Sequence, residues 1–174
     1  VYNASAKYIS YLLTPATVCL ASAVCMNKLE LLKKNMVAVV CGILSGTLAS
    51  LCGIFALCTL FGFNSPADVT MLPKSITTAI GIGISEELGG IVTITVAVII
   101  ITGILGNVIA DTVFHIFKIK KSIGKKPALG TASHAIGTAR AIEMGPVEGA
   151  MSSLAVAVAG LLTVVFVSGF AQLI

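Results

Sequence analysis

Charge is what this sequence has least of. Only 10% of its 174 residues are Asp, Glu, Lys or Arg, against roughly a quarter in soluble domains. Tryptophan is absent, and arginine occurs once, at Arg140. Hydrophobic residues make up 57% of the chain and the mean hydropathy is +1.06. No water-soluble core of this size needs so many uninterrupted apolar runs, so the composition excludes a soluble domain and points to an integral membrane protein. There is no G-x-x-x-x-G-K-S/T phosphate loop, no nucleotide-binding glycine fingerprint after a strand, and no nucleophile elbow. An enzyme is not expected, and no cofactor or metal site is expected. The five cysteines, Cys19, Cys25, Cys41, Cys52 and Cys58, make no CxxC pair and read as small apolar packing residues.

The formal charge of +4 does not describe a nucleic-acid patch. Lys28, Lys33, Lys34, Lys118, Lys120, Lys121, Lys125 and Lys126 sit in two short loops between apolar segments, where they read as topology signals. Full spans are expected at 9–26, 36–63, 91–117 and 150–174, each about long enough for a ~30 Å hydrocarbon core. Within the second, Gly42 and Gly46 form a small-xxx-small pattern that suits a close helix contact. If both lysine loops are cytoplasmic, the span at 36–63 runs outward and that at 91–117 runs inward. The chain is then outside both before and after residues 73–90.

Residues 73–90, PKSITTAIGIGISEELGG, have an echo at 129–145, LGTASHAIGTARAIEMG. Shifted by 56 positions, Ala79-Ile80-Gly81 falls on Ala135-Ile136-Gly137, Glu87 on Glu143 and Gly89 on Gly145. Gly42-Ile43-Leu44 likewise matches Gly103-Ile104-Leu105, at an offset of 61. Both echo segments are rich in hydroxyls and glycines inside an oily chain. Irregular backbone at membrane depth survives only where protein covers it or a wet cavity receives it. The reading is therefore two broken-helix re-entrant hairpins, dipping in from opposite faces. Units of about 36–90 and 91–149 would form an inverted repeat of the kind secondary transporters use. Discontinuous helices that cross fully are the alternative, and they would leave a lysine-rich loop outside.

Hydroxyls and glycines at a helix break expose backbone N–H groups and a positive dipole end, which suit an anion. The candidate substrate-binding residues are Thr77, Thr78 and Gly81 at the first break, and Thr131, Ser133, His134, Gly137, Thr138 and Arg140 at the second. Arg140 offers a forked partner for a carboxylate; the competing reading is an ion pair with Glu143 or Glu148. Glu87 and Glu143, the symmetric pair, are candidates for coupling to a proton or cation, or for capping helices. Asp111 and His115, one turn apart, suit an interfacial pair better than a metal site, because no third ligand is apparent.

These residues resemble the LrgB/CidB family of bacterial membrane proteins, which has plastid relatives. The resemblance covers essentially the whole chain. It runs through Tyr2-Asn3-Ala4, Leu13-Thr14-Pro15-Ala16-Thr17-Val18, Leu72-Pro73-Lys74-Ser75-Ile76-Thr77-Thr78, Ile101-Thr102-Gly103-Ile104-Leu105-Gly106-Asn107 and Leu129-Gly130-Thr131-Ala132-Ser133-His134. It is most specific from Gly137-Thr138-Ala139-Arg140-Ala141-Ile142-Glu143 to Glu148-Gly149-Ala150. The resemblance implies either of two functions. One is an antiholin-like or holin-like modulator of murein hydrolase activity and autolysis, acting with a small holin-like membrane partner. The other is a carrier of small monocarboxylates such as glycolate, glycerate, pyruvate or lactate.

Many family members have Pro after the Thr-Thr pair and an acidic residue four positions on. Here those places hold Ala79 and Gly83, which weakens any carry-over of cation coupling. Members also carry further membrane segments before the point matching Val1, so one or two helices of the family are expected to be missing from this chain. Taken together, the expectation is a single all-α membrane domain over residues 1–174, with about four spans and two hairpins. It would lie in the plasma membrane as a multi-pass homo-oligomer, in contact with lipid and a small carboxylate and not with nucleic acid.

Overall fold

The computed structural model describes residues 29–63, 65–119 and 122–170, and these form helices and turns with no strand among them. The span expected at 9–26 lies outside the described residues. In chain order the elements are α1 (Leu29–Phe61), α2 (Ser65–Met71), a 3-10 turn (Leu72–Ser75), α3 (Thr78–Glu87), α4 (Val92–Ile116), α5 (Ser122–Met144) and α6 (Pro146–Phe170). Among the described residues, three stretches are long and apolar enough to cross a membrane: Met36–Phe61, Val92–Ile116 and Glu148–Val167. They correspond to the last three spans expected from the sequence.

α4 shows why the bilayer overrides propensity. Its first half, Val92 to Thr102, is almost entirely β-branched, a composition that suits a strand in water. In hydrocarbon every backbone N–H and C=O must be satisfied within the segment, and a helix does that alone.

Packing divides into three clusters. Val39 and Ile43 of α1 meet Met151, Ala155 and Ala159 of α6. Further along the same pair, Leu51, Ile54 and Cys58 of α1 and Val167 of α6 enclose Leu72 of the 3-10 turn with Ile76 and Ile84 of the first echo segment. Ala110 and Phe114 of α4 pack on Leu129 and Ala141 of α5. α6 is the most enclosed of the three spans, and α4 the least, leaving Ile101, Leu105 and Val108 exposed for lipid.

Both echo segments reverse direction. In the first, the 3-10 turn gives way to two extended residues, Ile76 (φ −115°, ψ 178°) and Thr77 (φ −66°, ψ 146°), before α3 starts. In the second, α5 breaks at His134 (φ 41°, ψ −130°). A straight helix holds residues eight apart about 12 Å away from each other along its axis. Yet a Cβ on Gly137 would lie 2.5 Å from the carbonyl oxygen of Leu129, and one on Gly81 would lie 3.8 Å from Cβ of Pro73. These pairs, 73 with 81 and 129 with 137, are related by the same 56-residue shift. Each segment also has a glycine in the positive-φ region at or next to its end, Gly89 at 74° and Gly145 at 150°, where a side chain would strain the backbone.

Candidate functional site

A cavity of about 610 Å3 lies between α1, the 3-10 turn and the first arm of α5. Its α1 wall is nearly bare, formed by Ala38, Gly42, Gly46 and Ala49, with Ala128 and Ala132 opposite. Its polar groups are concentrated at one place. Lys74 and Ser75 come from the first echo segment, Thr131 from the second and Ser50 from α1. The Lys74 Nζ donates to Ser75 Oγ at 3.1 Å and to Ser50 Oγ at 3.4 Å, and the two serine oxygens lie 2.9 Å apart. Thr131 donates its hydroxyl to the Pro127 carbonyl at 2.8 Å, so its remaining capacity is as an acceptor. One ammonium with hydroxyls in a largely apolar cavity suits a small, singly charged anion.

Gly46 brings α1 close to the second segment. A Cβ there would lie 3.2 Å from Cγ2 of Thr131, whereas one on Gly42 would meet nothing within 4 Å. The small-xxx-small pattern in α1 therefore borders open space at one glycine and a helix contact at the other.

Of the residues proposed from the sequence, Thr131 lines this cavity. The remainder of the second group braces the hairpin against its neighbours. His134, buried at the break, has Nε2 2.9 Å from the carbonyl oxygen of Ile99 in α4. Gly103 makes room for that ring, since a Cβ there would come 2.6 Å from Cε1. Ser133 is buried against Gly106. Thr138 donates to the His134 carbonyl at 2.9 Å and shares a 2.8 Å contact with Ser152 of α6. Gly137 is buried in the fold of the hairpin.

Arg140 points elsewhere. Its guanidinium pairs with Asp111 of α4 and donates to the Asn107 carbonyl at 3.3 Å. The carboxylate that it pairs with is thus that of Asp111, which the sequence had set beside His115. At the first break, Thr77 and Thr78 are half-buried and begin α3; Thr77 Oγ1 is enclosed and has no hydrogen-bond partner. Gly81 is buried because a side chain there would run into Ile99. Glu87 and Glu143 are exposed near the ends of α3 and α5, outside the cavity lining. Among the described residues, no group of three His, Cys, Asp or Glu is placed to hold a metal.

Lys74, Ser75 and Ser50 are polar cavity residues that were not among the candidates proposed from the sequence. Lys74 carried a readable signal, since it stands outside the two lysine loops, between Pro73 and Ser75 in a segment expected to dip into the membrane, where charge is expensive. Ser50 carried none, because nothing in a long apolar helix marks which hydroxyl faces a distant turn.

A model of the LrgB-like family matches residues 1–173. The chain is 38% identical over 169 residues to proteins called antiholin-like protein LrgB from Bacillus cereus (strain B4264) and from Bacillus anthracis (strain CDC 684 / NRRL 3495). Each alignment spans 97% of this chain and 73% of the relative. No solved structure matches it significantly. With the family pattern running through nearly every described helix and both breaks, this all-helical membrane protein belongs to the LrgB-like family.

Proposed function

We propose that this chain acts as an antiholin-like, multi-pass protein of the plasma membrane that restrains murein hydrolase activity through a small holin-like membrane partner. What carries this reading is the relatives' name together with the extent of the match, 97% of the chain at 38% identity. Inducing a small holin-like protein in a bacterial host, with and without this chain, tests it. Delayed lysis is the expected outcome; an unchanged lysis time with the protein present in the membrane would sink the idea.

A second reading has its own observation, the cavity that gathers Lys74, Ser75, Thr131 and Ser50 from both echo segments and α1. On this reading the protein is a carrier for small monocarboxylates, and an inverted repeat of about 36–90 and 91–149 moves to open the cavity to one side and then the other. The equal registers of the two reversals support the repeat. A cavity with its polar groups at two helix breaks is also the usual arrangement in such carriers. Saturable uptake of a radiolabelled monocarboxylate by proteoliposomes is expected. Uptake no faster than into empty vesicles would leave the antiholin-like reading alone.

A further inference from the structure

The cavity is polar at one end only. On its α1 wall, Ala38, Gly42, Gly46 and Ala49 form a trough with no side chain larger than a methyl group, and a Cβ on Gly42 would meet nothing within 4 Å. Ala38, Gly42 and Ala49 are exposed, as is Ala132 on α5, so the trough is open along its length. From Ala38 to Ala49 the helix rises about 16 Å, close to the ~15 Å of one leaflet's hydrocarbon in a ~30 Å core. A small anion at Lys74 would leave most of the 610 Å3 empty, since cavities of this size take drug-sized ligands.

The apolar end is where positive charge collects. In α1 the backbone places Lys33 and Lys34 about one turn before Ala38. In α5 it places Lys125 and Lys126 directly before Pro127, which lines the cavity with Ala128. Glu30 is the only carboxylate in the same turns. Membrane topology by itself calls for lysines on one side; it does not call for two pairs, far apart in the chain, on the two helices that wall one cavity.

Charge at the interface and a bare apolar trough one leaflet deep are together complementary to an anionic phospholipid, since basic pockets between membrane helices take such headgroups. We propose that this cavity binds one anionic phospholipid from the leaflet that the lysine loops border, with its phosphate between the α1 and α5 lysine pairs and an acyl chain along Ala38, Gly42 and Ala49. The inference depends on neither reading of the function.

Native mass spectrometry of the full chain, released from nanodiscs holding equal amounts of phosphatidylglycerol and phosphatidylcholine, tests it. Wild type is expected to retain one phosphatidylglycerol, favoured about tenfold over phosphatidylcholine, given about 1 kcal/mol for each lysine near the headgroup. Gly42→Leu and, separately, Ala38→Leu fill the trough and are expected to lower retention about fivefold or more. Gly53→Leu, on the same helix, equally open and outside the cavity lining, should retain the lipid as wild type does. Lys33→Gln with Lys34→Gln, or Lys125→Gln with Lys126→Gln, should each narrow the preference about threefold, and either loop leaves the other to hold topology. Equal retention of the two lipids by wild type, or full retention in both trough variants, overturns the proposal. Displacement of the lipid by millimolar glycerol phosphate reduces the site to an anion contact and overturns it as well.

Discussion

The imidazole Nε2 of His134 lies 2.9 Å from the backbone carbonyl oxygen of Ile99, and the Ile99 side chain in turn occupies the place where a Cβ on Gly81 would be. One residue of α4 therefore touches both echo segments, and the two breaks are mechanically joined through it. Ile99 has 0% exposure, so neither contact slackens without disturbing the other.

The break at His134 combines a favourable bond with an unfavourable backbone. Its φ of 41° costs a non-glycine residue on the order of 1–3 kcal/mol, while losing a buried hydrogen bond costs about the same. His134→Ala loses the bond and keeps the strain, whereas His134→Gly loses the bond and relieves the strain. Thermal unfolding in detergent, followed by circular dichroism, is expected to rank wild type above His134→Gly and His134→Gly above His134→Ala. A glycine variant less stable than the alanine variant would contradict the strained geometry.

Gly137→Ala drives a methyl group against the Leu129 carbonyl at 2.5 Å and the Ser133 Cβ at 2.7 Å, with no flexible side-chain end to give way. A loss of about 1–3 kcal/mol is expected. Gly53→Ala is the control, since nothing lies within 4 Å of its Cβ and alanine is the better helix former by about 1 kcal/mol. The same unfolding assay should show the first variant destabilised and the second unchanged or improved.

Lys74 and Arg140 should part company in a binding assay. Lys74→Gln removes the ammonium from the cavity and is expected to weaken monocarboxylate binding more than tenfold, in line with the loss of a charge-assisted contact. Arg140→Gln removes an ion pair whose members are 33% and 63% exposed. Such a pair is worth no more than about 1 kcal/mol, and binding is expected to stay within about threefold of wild type. Titration of both variants in nanodiscs decides it; a collapse of binding in Arg140→Gln alone would return the carboxylate to the second break.

Topology is open to labelling. In a background with the five cysteines replaced, a cysteine at Lys118 should react with an impermeant thiol reagent from the cytoplasmic side and one at Glu86 from the opposite side. Both positions are exposed, so failure to label would not follow from burial. Reaction of the Lys118 position from outside and of the Glu86 position from the cytoplasmic side would remove the re-entrant reading of the first segment.

The outline of the fold was legible because its signals are local. Apolar runs longer than the hydrocarbon core announced the three described spans. The repeated Ala-Ile-Gly with its trailing glycine marked where both segments bend, down to Gly89 and Gly145. Even the β-branched start of α4 did not mislead, since a membrane leaves the backbone no alternative to a helix.

The site was legible only at its edges. Sequence alone determined that two glycine-broken, hydroxyl-rich segments lie in a membrane chain with one arginine, and on charge alone Arg140 was the natural partner for an anion. Which cation meets the cavity depended on where each side chain points after the hairpins fold. Asp111, twenty-nine positions before Arg140, takes the guanidinium, while α1 supplies Ser50 to receive Lys74. Contacts between residues so far apart in the chain have no signature in spacing or composition. They exist only once α4 and α1 are packed against the two breaks, and it is that packing, through Ile99, Gly46 and the hydroxyl cluster, that turned two sequence echoes into one cavity.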